Sequence, residues 1–347
     1  MRARSVLTGW IAICLGGVIV APGQTNNTVR GKAASSGYGV IETIPVGGIG
    51  LWDRMTVDAG ARRLYVPRDT HVTVLNADTG VVVGDIHGLQ GVHGVAVAPD
   101  LNRGFATNGR ANNVTIFDLS TLNVIATAKT GQKPDSVVYD SVSRSVFVMN
   151  LRDQSITAID ATNGAIRGTM RLVDSPENAV ADGKGSLYVN LADPAEIAVI
   201  DTATFSLRRR LLLSPCQEPR GIALDVKHGR LFTGCSNQLL VVTDIASGRL
   251  LAKLPTGGRT GSVAFDEAEQ LAFAANGVGT LTVVREESPG KFKVAENLKT
   301  KHGARIMVLD SHTHKIFLAT AVFQSSAQIE ELSLMKPGSF VVLVVGR

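Results

Sequence analysis

The chain has 347 residues, 44% apolar and 19% charged, with 36 glycines and a formal charge of +5. That composition excludes a disordered or collagen-like chain and leaves room for one large repeat domain or two ordinary ones. The positive excess is small and no run of five or more Lys or Arg occurs, so nucleic acid is not an expected partner.

The elements are taken in chain order. Arg2 and Arg4 precede an apolar stretch from Val6 to Ala21, and "APGQTNN" follows. This is the pattern of a secretory signal, placed at 1–23, with a signal anchor as the alternative. It predicts a periplasmic or secreted protein. Cys14 lies in the apolar run without a lipidation box, and no later stretch is long enough to span a bilayer. Residues 24–38 read as a flexible leader.

From residue 39 onward one unit recurs. Its core reads "LYVPR" at Leu64, then "GFATN" at Gly104, "VFVMN" at Val146, "LYVNL" at Leu187, "LFTGC" at Leu231, "AFAAN" at Ala272 and "IFLAT" at Ile316. Successive starts are 40, 42, 41, 44, 41 and 44 residues apart. A period near 40 with four short strands per copy is the signature of a propeller blade. Strand a is an apolar run ending in Asp (58, 100, 140, 182, 225, 266, 310), and strand b is the core quoted above. After a polar clip, strand c alternates, as in "NVTIFD" and "SITAID", and a turn such as "ATNG" leads to a more polar strand d. The inner strands are nearly continuously apolar, as strands covered on both faces should be, and strand d is polar enough for an outer edge.

The seventh unit ends in "SFVVLVVGR" and lacks a strand d, while "GVIETIPVGG" at 39–48 is a strand d without a unit. Pairing the two would close the ring and satisfy backbone groups left open at a seam. The predicted fold is therefore all-β: a monomeric seven-bladed β-propeller of four-stranded antiparallel blades over 39–347, closed by its N-terminal strand against its C-terminal blade.

"LYVPR", "FATN", "FVMN" and "LYVN" resemble the YVTN-type repeat, and residues 39–347 resemble the YncE-like family of secreted bacterial seven-bladed propellers. The resemblance implies a fold and leaves activity open, because related seven-bladed folds include lactonases, quinoprotein subunits and haem d1 domains.

In such a fold the d–a and b–c connections share one face, the top, where small ligands enter the central funnel. Counting five residues back from each strand-a Asp gives the channel-rim position: Asp53, Val95 with His93 just before it, Asp135, Glu177, Arg220, Gly261 with Arg259 nearby, and Arg305. Acidic residues thus come from blades 1, 3 and 4 and basic ones from blades 5 to 7. Such a funnel could orient a zwitterionic or anionic ligand, or its charges could simply pair across a wet channel. The b–c clips add Arg68, Asp69, Asn108, Arg110, Asn150, Arg152, Asn190, Asp193 and Asn237. The asparagines read as turn chemistry, while Arg110 and Arg152 are candidate anion contacts. The seventh clip, 321–339, is long enough to cover the funnel or to be a floppy insertion. Cys216 and Cys235 fall on the top of one blade, and in an exported protein they are expected to be bridged. His312 and His314 form a His-x-His pair on the opposite face with no third ligand visible, and His87, His93 and His302 are scattered.

No covalent-haem motif, nucleophile elbow or phosphate-gripping glycine loop is present in the sequence. Asp53, Asp135 and Glu177 could converge on a divalent ion, but arginines on the same rim oppose it. The expected function is non-catalytic binding of a small polar ligand, peptide or protein at the top funnel, with no cofactor and no metal. The alternatives are a lactonase-like or other hydrolase using the same funnel, and weak binding of nucleic acid or another polyanion.

Overall fold

The computed structural model describes residues 36–323 and 335–347. Among these, the strands form seven four-stranded antiparallel sheets arranged as blades in a ring. Blade 1 comprises Thr56–Asp58, Arg63–Pro67, Val72–Asn76 and Val82–Ile86, and blade 2 comprises Val92–Ala98, Arg103–Asn108, Asn113–Asp118 and Val124–Lys129. The innermost strands of blades 3 to 6 are Pro134–Asp140, Pro176–Ala181, Pro219–Asp225 and Thr260–Asp266. Blade 7 has Ile306–Asp310, Lys315–Thr320 and Val341–Gly346, with Gly39–Pro45 antiparallel to the last of these. No helix among the described residues is long and apolar enough to cross a membrane.

The period-40 pattern exists because a blade cannot cover its own faces. Each of seven buried apolar clusters spans two adjacent blades. The aromatic residue of each strand b, from Tyr65 and Phe105 to Phe273 and Phe317, lies in one of them. Burial of that ring supplies the largest apolar area per residue in the repeat. The cluster joining blades 7 and 1 contains Ile44, Leu64, Phe317, Phe340 and Val342, so residues from both ends of the chain share one core.

Three expectations change. The strand-a Asp of blade 2 is not Asp100: the strand ends at Ala98, and Asp100 sits in a 3-10 turn, Pro99–Leu101. Counting back from Asp100 therefore lands on buried Val95, whereas the register equates His93 with Asp135. Of the asparagines after strand b, Asn108, Asn150 and Asn190 are strand residues rather than turn residues, whereas Asn237 lies in a turn as expected, its amide donating to Pro215 O at 2.8 Å. Asn108, Asn150 and Asn276 are buried, and their amides donate to strand-c hydroxyls, as Asn108 Nδ2 does to Thr115 Oγ1 at 2.8 Å. Finally, the expected leader 24–38 ends inside the fold. Ser36 N donates to Glu296 at 2.9 Å, and buried Tyr38 packs edge-on against Phe273. Of the 321–339 insertion, 324–334 lie outside the described residues, and Phe323 pairs with Met335 at its base.

Candidate functional site

The rim is built by the first residues of the inner strands and, in blades 1 and 7, by the residues just before them. A register shift recurs there in blades 2 to 6, between Val92/Val95, Pro134/Val137, Pro176/Ala179, Pro219/Ile222 and Thr260/Ser262. Such a bulge frees one residue from the ladder and re-aims its side chain. Inward space is tight. A Cβ on Gly261 would lie 2.5 Å from the Arg305 carbonyl and 3.1 Å from its Cβ and Cγ, so glycine at this rim position makes room for Arg305.

The structure brings His93, Asp53 and Asp135 together. His93 Nδ1 lies 3.0 Å from Asp53 Oδ2 and 3.7 Å from Asp135 Oδ1. Among them stands Arg54, which counting from the strand end did not single out. Its guanidinium is hydrogen-bonded to Asp135 and lies 3.6 Å from Asp53 and 4.0 Å from Glu177. Arg220 in turn donates to Glu177 at 2.9 Å and to Glu218 at 3.2 Å. The expected division into an acidic and a basic half is therefore weakened, because Arg54 sits inside the acidic half and Arg220 is shared with Glu177.

These neighbours set the protonation states. Burial disfavours the Asp53 carboxylate, but Arg54, the His93 bond and Arg305 outweigh it and hold its pKa below the usual range. Burial raises Glu177, and Arg220 and Arg54 offset this only in part. Burial also opposes charge on His93, yet the bond to Asp53 and the Asp135 carboxylate prevail and raise its pKa above the ordinary 6.5. The stability from this pairing is full below 6.5 and is lost as pH rises through the raised folded-state value. An NMR titration of His93 is expected to show a midpoint above 6.5. Unfolding free energy should fall across that interval in the native chain, and His93→Gln should lack the decline.

Other predicted positions separate. Arg305 lines a cavity of about 200 Å³ on the top face, together with Leu51, Trp52, Asp53, Asp69 and His93. Arg110 is not an open anion contact, since its guanidinium bonds Asp69 at 2.7 and 3.3 Å. Arg152 makes no ion pair or side-chain hydrogen bond among the described residues and lines a second cavity of about 380 Å³ with His93, Arg110, Gln132 and Lys133. Arg68 is buried and lines neither cavity. Arg259 turns its chain beside Gly277, 3.0 Å from the place of a Cβ there. On the opposite face His314 bonds Asp266 at 2.8 Å across blades 6 and 7, which accounts for half of the His-x-His pair as a structural contact.

Cys216 and Cys235 are bonded, with Cα atoms 5.4 Å apart, and both are buried. They join the connection before blade 5 to the end of its second strand. The bridge closes a loop of 19 residues, for which chain entropy gives about 3 kcal/mol. The Cys216→Ser/Cys235→Ser double variant is expected to lose about that much in urea unfolding, with the rest of the ring intact by circular dichroism.

No family model matches the chain. The YncE protein of Escherichia coli O157:H7, described as uncharacterized, is 26% identical over 174 residues, 45% of this chain and 49% of that protein. YncE of Salmonella typhi is 24% identical over 192 residues, 50% of this chain and 54% of that protein. The chain spans about half the length of the curated relatives it matches. Among solved structures, U3-55K superposes with a TM-score of 0.72 at 12% identity, covering 87% of this chain and 97% of that one. The WD40 repeats of RRP9 give 0.73 at 11%, covering 88% and 97%. At those identities the likeness is one of fold alone. Seven four-stranded blades in a ring, with YncE proteins as sequence relatives, make this chain a YncE-like seven-bladed β-propeller.

Proposed function

We propose that the protein is an exported binding module that takes a small polar ligand, or the end of a peptide or protein partner, at its top funnel without transforming it. One observation carries this reading. The 200 Å³ cavity has an apolar wall of Leu51 and Trp52 facing convergent polar groups on Asp53, His93 and Arg305. That is the make-up of a recognition site, and it is smaller than the roughly 300 Å³ at which ordinary ligand pockets begin. It therefore suits one end of a ligand. Asp53, Arg54, Asp135 and Glu177 are already engaged with one another, which favours a rigid, pre-organised rim. Export is supported by the 1–23 pattern and by the Cys216–Cys235 bridge, which persists in oxidising compartments. Native mass spectrometry of the protein taken from its own cell envelope tests the reading. A bound small molecule or partner lost in Arg220→Ala and Arg305→Ala supports it, and an empty funnel in every preparation counts against it.

A second reading, a metal-dependent hydrolase, is favoured by one fact: a ligand atom on each of Asp53, His93 and Asp135 lies within 4.8 Å of the others. A divalent ion there would meet the Arg54 guanidinium already bonded to Asp135, so it would have to displace an internal cation. Stoichiometric metal in the purified protein, with turnover of a lactone, would favour this reading over the first.

A further inference from the structure

The second cavity, between blades 2 and 3, differs from the rim in charge. It is lined by His93, Arg110, Asn112, Gln132, Lys133 and Arg152, together with Gly109, and by no carboxylate among the described residues. Most arginines near the funnel have acidic partners: Arg54 with Asp135, Arg220 with Glu177, Arg110 with Asp69. Lys133 and Arg152 have no side-chain ion pair or hydrogen bond among the described residues. They stand side by side because two backbone bonds and one backbone-to-side-chain bond fix their loops. Arg152 N donates to Gln132 O at 3.2 Å, Leu151 N to Lys133 O at 3.0 Å, and Lys133 N to Asn112 Oδ1 at 2.9 Å.

Lys133 holds φ at +55°, a left-handed conformation that glycine adopts freely and lysine does not. The corresponding position before the inner strand is Gly91 in blade 2, Glu218 in blade 5 and Arg259 in blade 6, each also with positive φ. His93 completes the wall. Its Nδ1 is turned to Asp53, and its other edge faces Gly109, where a Cβ would come within 2.9 Å of Cδ2 and 3.1 Å of Nε2. Glycine at 109 thus leaves the Nε2 edge open to the cavity. With Nδ1 committed to a carboxylate, Nε2–H is a donor whenever the ring is protonated.

The two cavities share a wall. His93 lines both, and the Asp69–Arg110 pair bridges them, Asp69 on the axial side and Arg110 on the outer. We propose that the outer cavity binds the carboxylate or phosphate group of a small organic anion, whose apolar portion reaches over His93 to Trp52 and Leu51 in the axial cavity. This rests on the top-face binding reading and names its ligand class. Arg152 supplies the planar fork that suits either oxyanion, and Lys133 supplies a point charge.

The test titrates the full-length protein with phenylacetate, phenyl phosphate, acetate and inorganic phosphate by calorimetry at low salt. The phenyl compounds should bind more tightly than their truncated counterparts. Whichever of the two binds more tightly identifies the oxyanion. Lys133 and Arg152 are exposed, so Arg152→Gln and Lys133→Gln should keep the native melting temperature. Each should weaken binding about tenfold, the effect of one charge-assisted hydrogen bond, and the double variant should abolish it. Binding that survives the double variant overturns the proposal. So does failure of all four compounds to bind. Loss in Arg220→Ala and Arg305→Ala with no loss in the Lys133 and Arg152 variants would remove this inference and leave the funnel reading standing. Loss in neither set would remove both.

Discussion

A chain starting at Val46 is expected to lose on the order of 5 kcal/mol of stability or more. The magnitude follows from what residues 36–45 hold. Ile44 is 6% exposed in the cluster joining blades 7 and 1, and truncating such a residue to Ala costs about 2–5 kcal/mol. Tyr38, 5% exposed, packs on Phe273 under the Arg347 guanidinium and is a comparable loss. Removing the strand also leaves Val341–Gly346 as an open sheet edge, from Gly346 opposite Gly39 to Val341 opposite Pro45. The bond from Arg62 to Asp310, 2.8 Å across the same seam on the opposite face, remains but contributes less than the cluster lost above it. The total approaches the whole stability of an ordinary domain. Calorimetry should therefore show a melting midpoint lower by on the order of 10 °C, and gel filtration should show dimers formed through the exposed edge. Ile44→Ala alone should reproduce roughly half of the loss. A truncated chain that melts within two or so degrees of the native one would show that the ring is held by its other interfaces.

The ring was legible because its cause is periodic. An aromatic at each strand b and an Asp at the end of most inner strands repeat every 40 to 44 residues, since every blade solves the same burial problem against its neighbour. The site was legible only where it follows that period. Asp53, Asp135 and Glu177 were found by counting, and in the structure all three approach one guanidinium. His93 was found beside the wrong residue, because the 3-10 turn at Pro99–Leu101 displaced the Asp used as a marker by two places. Arg54 was missed because its importance lies in lateral reach. Its partners Asp135 and Glu177 are in other blades, and spacing within one repeat says nothing about which side chain leans across the channel. Lys133 was missed for the opposite reason. Its loop is held by main-chain bonds to the Asn112 side chain and the Leu151 backbone, and no residue pattern in the repeat marks it.

Arg68 shows a signal that was present and unread. It follows "LYVP" as Asn108 follows "GFAT" and Asn150 follows "VFVM", so it occupies the corresponding buried position, here just past the strand Arg63–Pro67. A bulky cation there cannot make the amide-to-hydroxyl bond of its counterparts. It is 1% exposed and turns toward the seam instead. Nη1 donates to Gly47 O at 2.9 Å, Nη2 to Ile49 O at 3.0 Å and Gly50 O at 3.1 Å, and Nε to Gly50 O at 3.2 Å. The guanidinium carbon lies 3.8 Å above the Phe340 ring. Among the described residues no carboxylate forms an ion pair with it, and burial pushes its pKa down to about 10, so it remains charged at neutral pH.

Arg68→Met is expected to destabilise the protein by about 3 kcal/mol or more, although it removes a costly buried charge. Replacing a buried ion pair by apolar residues can be neutral because both partners go. Here the partners are three backbone carbonyls that stay, each losing its donor at about 1–3 kcal/mol. Arg68→Lys keeps the charge but cannot present donors in a fork to all three, and should fall between. The consequence reaches the site. Gly50, at φ +101°, leaves no room for a side chain beside the Arg68 carbonyl, 2.5 Å from the place of a Cβ, and leads directly into Leu51, Trp52 and Asp53 of the axial cavity. Releasing the 47–50 loop should therefore speed amide exchange at 51–53 and weaken funnel ligands together with stability. Unchanged exchange there in a destabilised Arg68→Met protein would mean that the seam and the site are held independently.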